Sequence, residues 1–240
     1  MELRELRKKI RHIDKQLSEL GYEEADLSAR VMLNLDFARA NIKALIFDQA
    51  VLEGISATFP QTEGILENGI VRGVTASDVQ KILNLKRAWE FVLDKYVIGS
   101  PTNFAILSHI AGLVNEGFYT YGKRIRNVPV RIGGSSYLPP IPNELTVKEE
   151  IQRITKKDRE AIDNAIDLAL YCMKTQVFID GNKRVAILFA NHYLIAQGEG
   201  LLVVPEHTVP EFKQYLIDYY EDRDTQAVQE FLRTIGWVKM

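Results

Sequence analysis

Hydrophobic positions recur every three or four residues along most of this chain, which predicts that helices dominate its structure. In residues 3–20, leucine and isoleucine follow this spacing opposite a face of arginine, lysine and glutamate. The pattern favours a helix that packs on its own domain, and a seam that forms a homodimer is the alternative. A second long helix is predicted over 26–49. A third, capped by Thr75 or Ser77, runs to about Tyr96.

The later part of the chain continues the helical pattern. Residues 53–74 separate the second and third helices and are rich in loop-forming residues. Residues 127–142, NVPVRIGGSSYLPPIP, alternate apolar and polar positions around Gly133-Gly134, which predicts a small surface β-hairpin that the three prolines keep short. The fold class is therefore all-α (mainly α), with one continuous core and one small hairpin. Further helices are predicted at 103–115, 144–155, 158–175, 182–197, 208–220 and 224–235.

The composition excludes several classes of protein. The chain is 46% hydrophobic and 26% charged, with a net charge of −2, so no general attraction to nucleic acid is expected. No run reaches the roughly 20 apolar residues that span a bilayer, and the amino terminus is too charged for a signal peptide. Cys172 lies in a helical pattern that predicts a buried thiol. A single cysteine forms no intrachain disulfide and suits a reducing compartment, so a soluble, cytoplasmic protein is expected.

The candidate chemistry lies in the run QVFIDGNKR, residues 176–184, just before the apolar helix over 185–195. A loop containing Gly181 that opens a helix presents free backbone N–H groups and the positive end of the helix dipole to an anion. Asp180 can hold a hard divalent cation. Lys183 and Arg184 can contact phosphate oxygens. The run therefore predicts a phosphate site, although Asn182 is also typical of an ordinary turn and helix cap.

Arg184 supports the phosphate hypothesis without deciding it. A cation in the first turn of a helix opposes the helix dipole by roughly 0.3–1 kcal/mol, so an anion should compensate it. A bound phosphate would do so. A salt bridge to Asp180 or Glu63 would do so equally well.

The same run resembles the signature of the Fic family, HxFx(D/E)GNxR. FPQTEGILENGIVRG at 59–73 and the helix after it resemble the segment ahead of the Fic core, and YGKRIRNVPVRIGGSSYLPPIP at 121–142 resembles the target-docking flap. The resemblance extends over about residues 50–235. It implies a Fic-fold helical bundle with an amino-terminal helical segment (1–50), a segment with a candidate inhibitory TEG (51–98) and a Fic (fido) core (99–240).

The resemblance implies AMP transfer from ATP to a hydroxyl group on an unidentified target protein. Asp180 would bind Mg²⁺, and Gly181, Asn182 and Lys183 would form the anion hole. Arg184 would hold a phosphate and stabilise the leaving group. The flap would bind the target's backbone beside its own edge. Its residues would be Val130, Arg131, Ile132, Gly133, Gly134 and Tyr137.

Three positions depart from the family pattern. Gln176 stands where the family's histidine acts as general base, and the loss of a general base costs about 10²–10⁴-fold in rate. None of the four histidines in the chain has the required place in the motif. Ile187 stands where a second arginine is common. Lys183 replaces the commoner glycine, as in the Doc branch, which transfers phosphate instead of AMP.

Glu63 matches the family's autoinhibitory glutamate, although the Ser or Thr expected four residues earlier is Phe59. Because Ile187 replaces its usual partner, Glu63 could pair only with Arg184 or Lys183. Three hypotheses follow for the whole chain. It binds ATP and Mg²⁺ with weak or lost AMP transfer, it is a non-catalytic nucleotide-sensing or interaction module, or it transfers another phosphate-bearing group in the manner of Doc.

Overall fold

The computed structural model describes residues 27–69 and 71–240. The predicted helix over residues 3–20 and its possible dimer seam lie outside these residues. The mainly α fold class is confirmed. No helix in the two described ranges has the length and apolar content needed to cross a membrane. The helices are α1 (Ala29–Ala40), α2 (Ile42–Leu52), α3 (Phe59–Asn68), α4 (Ala76–Val92), α5 (Lys95–Ile98), α6 (Phe104–Val114), α7 (Glu144–Thr155), α8 (Ala161–Thr175), α9 (Asn182–Ala196), α10 (Val209–Tyr220) and α11 (Ala227–Thr234).

The prediction of one helix over 26–49 is wrong, because the helix is interrupted at Asn41 and divides into α1 and α2. The Asn41 side chain donates to the carbonyl of Phe37 at 2.9 Å. Asparagine competes in this way with the backbone hydrogen bonds of a helix interior, which favours a break. The break brings the end of α2 to the site described below.

The prediction that residues 53–74 are mostly loop is also wrong, since α3 forms there. Thr58 and Gln61 make a reciprocal capping box, and Pro60 occupies the first turn. Gly69, with φ of +75°, ends the helix. All these signals are visible in the sequence, but the many polar and glycine residues of the segment concealed them.

Helix α9 is the centre of the molecule. Its residues are buried on almost every face, and its most extensive packing is against α8. A helix whose faces are all buried must be surrounded by other elements of the fold. Both α4 and α6 also pack against it, and the core is continuous through these elements. The amino-terminal end of α9 therefore opens at a place where several helices meet.

The predicted β-hairpin at 127–142 is wrong in its pairing. In the described part of the chain the strands are β1 (Leu201–Leu202) and β2 (Trp237–Val238), which pair antiparallel at the other end of α9. Residues 129–132 belong to neither a helix nor a strand, Gly134 turns with φ of +81°, and no ladder closes there. The flap is therefore an irregular loop around a turn.

Candidate functional site

The loop between α8 and α9 is shaped by two residues in left-handed conformation. Gln176, with φ of 48° and ψ of 61°, ends α8, and Gly181, with φ of 72°, precedes the first residue of α9. A Cβ atom on Gly181 would lie 2.8 Å from Cγ1 of Val114, at the end of α6. Glycine is required here because both the backbone angle and the close approach exclude a side chain.

Asn182 fixes the shape of this loop from the inside. Its Oδ1 accepts from the backbone N–H of Phe178 at 2.9 Å, and its Nδ2 donates to the Phe178 carbonyl at 2.8 Å and to Oε1 of Gln176 at 3.1 Å. The side chain neither caps α9 nor faces the cavity as a phosphate donor. What Asn182 can offer an anion is its backbone N–H, which begins the helix.

Gln176 is held by the same network. Its Nε2 donates to the carbonyl of Met173 at 2.6 Å, while its Oε1 accepts from Asn182. Both ends of the amide therefore have partners inside the protein. This residue acts as a C-terminal anchor for α8 at the position where the Fic signature has a base.

Arg184 is 1% exposed and lies beneath the loop. Its Nη2 is 3.2 Å from Oε1 of Glu53 and 3.7 Å from Oδ2 of Asp180, and its Nη1 donates to the Val114 carbonyl at 3.5 Å. Its Nε has no hydrogen-bond partner among the residues that the structure describes. The sequence predicted a compensating anion, either a bound phosphate or the carboxylate of Asp180 or Glu63; Asp180 is near the guanidinium, but Glu53 makes the closer contact.

Glu53 is a site residue that sequence reasoning missed. It ends α2, its side chain is 12% exposed, and its Oε2 is buried without a hydrogen-bond partner, 3.8 Å from Nζ of Lys183. A carboxylate is disfavoured at a helix C-terminus, because the dipole there is already negative. That local mismatch was the only signal in the sequence that Glu53 has a partner elsewhere.

Glu63 lies elsewhere in the structure. Its Oε1 is 3.3 Å from Nζ of Lys43, in a half-exposed pair on the outer side of α2 and α3. The only carboxylate within ion-pair distance of Lys183 among the described residues is Glu53. The predicted pairing of Glu63 with Arg184 or Lys183 is therefore not formed, and an inhibitory role for Glu63 stays a prediction.

A cavity of about 360 Å³ opens above the loop. The loop from Gln176 to Lys183 forms one wall, Glu53 another, and the flap and α10 close the opposite side. Of the predicted flap residues, Val130, Arg131, Ile132 and Gly133 line the cavity, whereas Gly134 packs beside Ile217 and Tyr137 lies near Lys174. The other residues that line it are Ile179, Lys213, Leu216, Ile217 and Tyr220.

Lys213 is the second site residue that sequence reasoning missed. It points into the cavity from α10. Burial lowers the pKa of Lys213, the nearby Lys183 ammonium lowers it further, and Glu53 partly opposes both effects. Two ammonium groups therefore face the same space closely enough to repel each other.

Arg126 holds the flap against the loop. This buried guanidinium donates from Nε to the Gln176 carbonyl at 2.6 Å, from Nη1 to the Val128 carbonyl at 2.8 Å and from Nη2 to the Pro140 carbonyl at 2.6 Å. Farther along, Glu221 accepts from the backbone N–H of Ser136 at 2.7 Å. Arg126 thus ties both ends of the flap to the C-terminus of α8, while Glu221, at the end of α10, holds the middle of the flap.

Other reactive side chains lie outside the cavity. His192 is buried between Val97 and Thr102, and burial lowers its pKa. His109 packs its ring on Phe91. Cys172 is buried, as predicted, and burial raises the pKa of its thiol to about 12. Residues 27–69 and 71–240 contain no cluster of three or more His, Cys, Asp or Glu able to hold a metal by themselves.

Comparisons with known proteins agree with the predicted resemblance. Residues 103–194 match the model of the Fic/DOC family. A search of curated proteins found no match. Solved structures of Fic-1 from C. elegans (residues 134–508) and of a Fic-domain signaling protein from Bacteroides thetaiotaomicron are similar. The first has 18% identity, covers 94% of this chain and 69% of its own, and has a TM-score of 0.66. The second has 17% identity, coverages of 84% and 79%, and a TM-score of 0.65.

A Fic family protein from Desulfovibrio desulfuricans is similar as well, with 16% identity, 90% of this chain and 65% of that chain covered, and a TM-score of 0.67. At these identities the structures establish a shared fold. The resemblance to the Fic family is confirmed over residues 103–194, a segment that contains the whole loop, the flap and most of α9. The match supports a transferase function of the Fic type.

Proposed function

We propose that this protein, whose residues 103–194 match the Fic/DOC family, binds ATP with Mg²⁺ at the loop Asp180–Arg184 and transfers AMP to a protein hydroxyl weakly or not at all. The observation that carries the proposal is the cation-lined cavity at the start of α9, with the amide of Gln176, hydrogen-bonded at both its nitrogen and its oxygen, where a base would act.

The cavity has the properties of an oligophosphate site. The first N–H groups of α9 have no partner within the helix, and the dipole of this 15-residue helix favours an anion at its start. Lys183, Lys213 and Arg131 line the same space, and Arg184 lies directly beneath the loop. Asn182 fixes the loop from the inside through Phe178, so the backbone N–H groups at the start of α9 need little reorganisation when a phosphate binds.

The residues present also fit Mg²⁺. Asp180 lines the cavity with a carboxylate that is 41% exposed, and its nearest cation is Arg184 at 3.7 Å. Mg²⁺ is usually held by one or two carboxylates together with substrate phosphates and water, so one protein carboxylate is sufficient. Asp180 would hold the ion, which when bound would neutralise charge on the phosphates.

Gln176 limits the chemistry. Its amide has no useful basicity near neutral pH, and its hydrogen bonds hold it to the loop. Without a base, a target hydroxyl must lose its proton to water or to the phosphate itself, which costs about 10²–10⁴-fold in rate. The same observation favours a second candidate, a nucleotide-binding module that performs no transfer.

The flap is the proposed contact for a target protein. The backbone at Val130–Ile132 borders the cavity, and in the described part of the chain no strand pairs with it. A target segment could add to this backbone in the manner of β-augmentation, which would place a hydroxyl group beside the phosphates.

The test combines binding with a gain of activity. Calorimetry with ATP and Mg²⁺ should detect binding to the wild-type protein or to its Glu53→Gln variant, and Lys183→Ala should weaken it. In mass spectrometry of the protein incubated with ATP, Gln176→His should raise self-AMPylation by about 10²-fold or more over wild type. Gln152→His, an exposed position on α7, is the matched control.

The outcomes separate the candidates. Absence of nucleotide binding by every variant would refute the proposal as a whole. Binding without an adduct in Gln176→His would favour the non-catalytic module. An adduct with the mass of a phosphate instead of AMP would indicate transfer of the Doc type.

A further inference from the structure

Charged groups from three separate helices meet on one side of the cavity. Glu53 ends α2, Lys183 lies in the first turn of α9 and Lys213 lies on α10, and all three line the same space. The carboxylate of Glu53 is 3.8 Å from Lys183 and 3.2 Å from Arg184. One carboxylate is thus shared between two cations, while a third cation, Lys213, faces them.

This arrangement leaves positive charge without a full partner. Burial lowers the pKa of Lys213, the charge of Lys183 lowers it further, and the charge of Glu53 raises it in part. Asp180 is the other carboxylate of the cavity, and it is closest to Arg184. Like charges that share a partly buried space are stabilised when an anion enters between them.

Glu53 already provides such an anion, but it neutralises the surrounding cations only in part. Its Oε1 contacts Arg184, while its Oε2 is buried and receives no hydrogen bond. A buried oxygen without a donor weakens the hold of the site on that carboxylate. A terminal phosphate group has three oxygens and more negative charge than a carboxylate. It would therefore accept hydrogen bonds from donors that the Glu53 carboxylate does not contact.

We infer that Lys183 and Lys213 form a separate subsite for the outer phosphate of a nucleoside di- or triphosphate, and that the Glu53 carboxylate fills this subsite when no ligand is bound. The inference rests on the proposed nucleotide-binding function and deepens it. The subsite would make affinity depend on the number of phosphates, and Glu53 would compete with the ligand.

The experiment measures calorimetric affinities of AMP, ADP and ATP, each with Mg²⁺, for four variants. Lys213→Met should weaken ATP and ADP about tenfold, the loss of one charge-assisted hydrogen bond, and should change AMP by less than about twofold. Lys213→Arg should retain the preference for ATP over AMP. Glu53→Gln should strengthen ATP several-fold, and Lys156→Met, an exposed lysine at the end of α7, should change none of the three affinities.

Inorganic tripolyphosphate is the second probe, because it lacks the nucleoside. It should compete with ATP for the wild-type protein, and compete less well for Lys213→Met. Urea unfolding of each variant shows whether it is folded, and Lys213→Arg gives an independent readout if Lys213→Met is not.

The result that overturns the inference differs from the one that overturns the proposed function. If no nucleotide binds to any variant, both are wrong. If the nucleotides bind but Lys213→Met weakens all three equally or none, the subsite does not exist. If Glu53→Gln leaves ATP binding unchanged or weaker, Glu53 does not fill it.

Discussion

The contact between Glu53 and Arg184 should appear as a strong energetic coupling. Arg184→Met keeps most of the buried volume but leaves the Glu53 carboxylate, 12% exposed, with only the 3.8 Å contact to Lys183. Removing one partner of a buried ion pair typically lowers the free energy of unfolding by about 3–5 kcal/mol. We expect about 3 kcal/mol here, because Lys183 still partly neutralises the Glu53 carboxylate. Glu53→Gln leaves Arg184 with Asp180 and the Val114 carbonyl, and should cost about 1–2 kcal/mol.

The double variant should cost about 2–3 kcal/mol, which is less than the sum of the two single costs. Once both charges are gone, neither remains buried without a partner, and the remaining cost comes from Asp180 and the Val114 carbonyl, which also lose Arg184. We therefore expect a coupling free energy of about 2 kcal/mol between Glu53 and Arg184. This value depends on the 3.2 Å contact, because charges separated by solvent would couple far less.

The assay is urea unfolding followed by tryptophan fluorescence, with far-ultraviolet circular dichroism as a check that both probes give the same midpoint. Trp89 is a suitable reporter, since it is fully buried and donates to Gln49, whose amide in turn donates to the Arg184 carbonyl. The matched control is the half-exposed pair of Lys43 and Glu63, substituted in the same way, whose coupling should be indistinguishable from zero.

A coupling free energy below about 0.5 kcal/mol would refute the reasoning, because it would mean that the two groups do not meet in the folded protein. A large coupling for the control pair would contradict it as well. In that case the buried position of Arg184 would not be the cause of the effect.

Three further predictions concern the loop and its surroundings. Gly181→Ala should lower the free energy of unfolding by at least about 2 kcal/mol, because the residue has φ of +72° and its Cβ would lie 2.8 Å from Val114; urea unfolding measures this. Asn182→Ala should cost about 2–4 kcal/mol in the same assay and abolish ATP binding, since it leaves the backbone groups of Phe178 buried without partners. Burial raises the pKa of Asp48 from 3.8 to about 6, so its favourable contribution to stability is complete below pH 3.8 and is lost as the pH rises through 6. Asp48→Asn should therefore stabilise the protein at pH 7 by about 1 kcal/mol, after allowance for solvent screening, and should have little effect at about pH 3, where the carboxyl is protonated in both states; equal effects at both values would contradict this.

Local sequence patterns were sufficient to predict most of the helices and the loop that precedes α9. Residues 144–155 were predicted to be helical and α7 has these bounds, while α9 was predicted one residue too long. Both have strong periodic or apolar patterns with caps or glycines at their ends, and such signals act between neighbours in the chain. The capping box of α3 is an equally local signal. The polar and glycine residues around it favoured a loop, and the prediction for this segment was therefore wrong.

The flap shows where local pattern was insufficient. Its alternation predicted paired strands, but pairing requires a second strand in register, and the three prolines remove donors that a ladder would need. The flap is held instead by Arg126, which binds carbonyl groups at both of its ends and at Gln176. A buried arginine that binds only carbonyl groups leaves no pattern in the sequence.

Which charged side chains meet at the loop before α9 depends on how distant helices pack together. Glu53 and Lys213 come from α2 and α10, far along the chain from Arg184, and the interruption at Asn41 helps to bring α2 into place. Glu63, the candidate that the motif suggested, pairs with Lys43 instead. The identity of a charged residue limits what it can bind, but its partner is set by how helices pack around α9, and that packing depends on contacts between residues distant in the sequence.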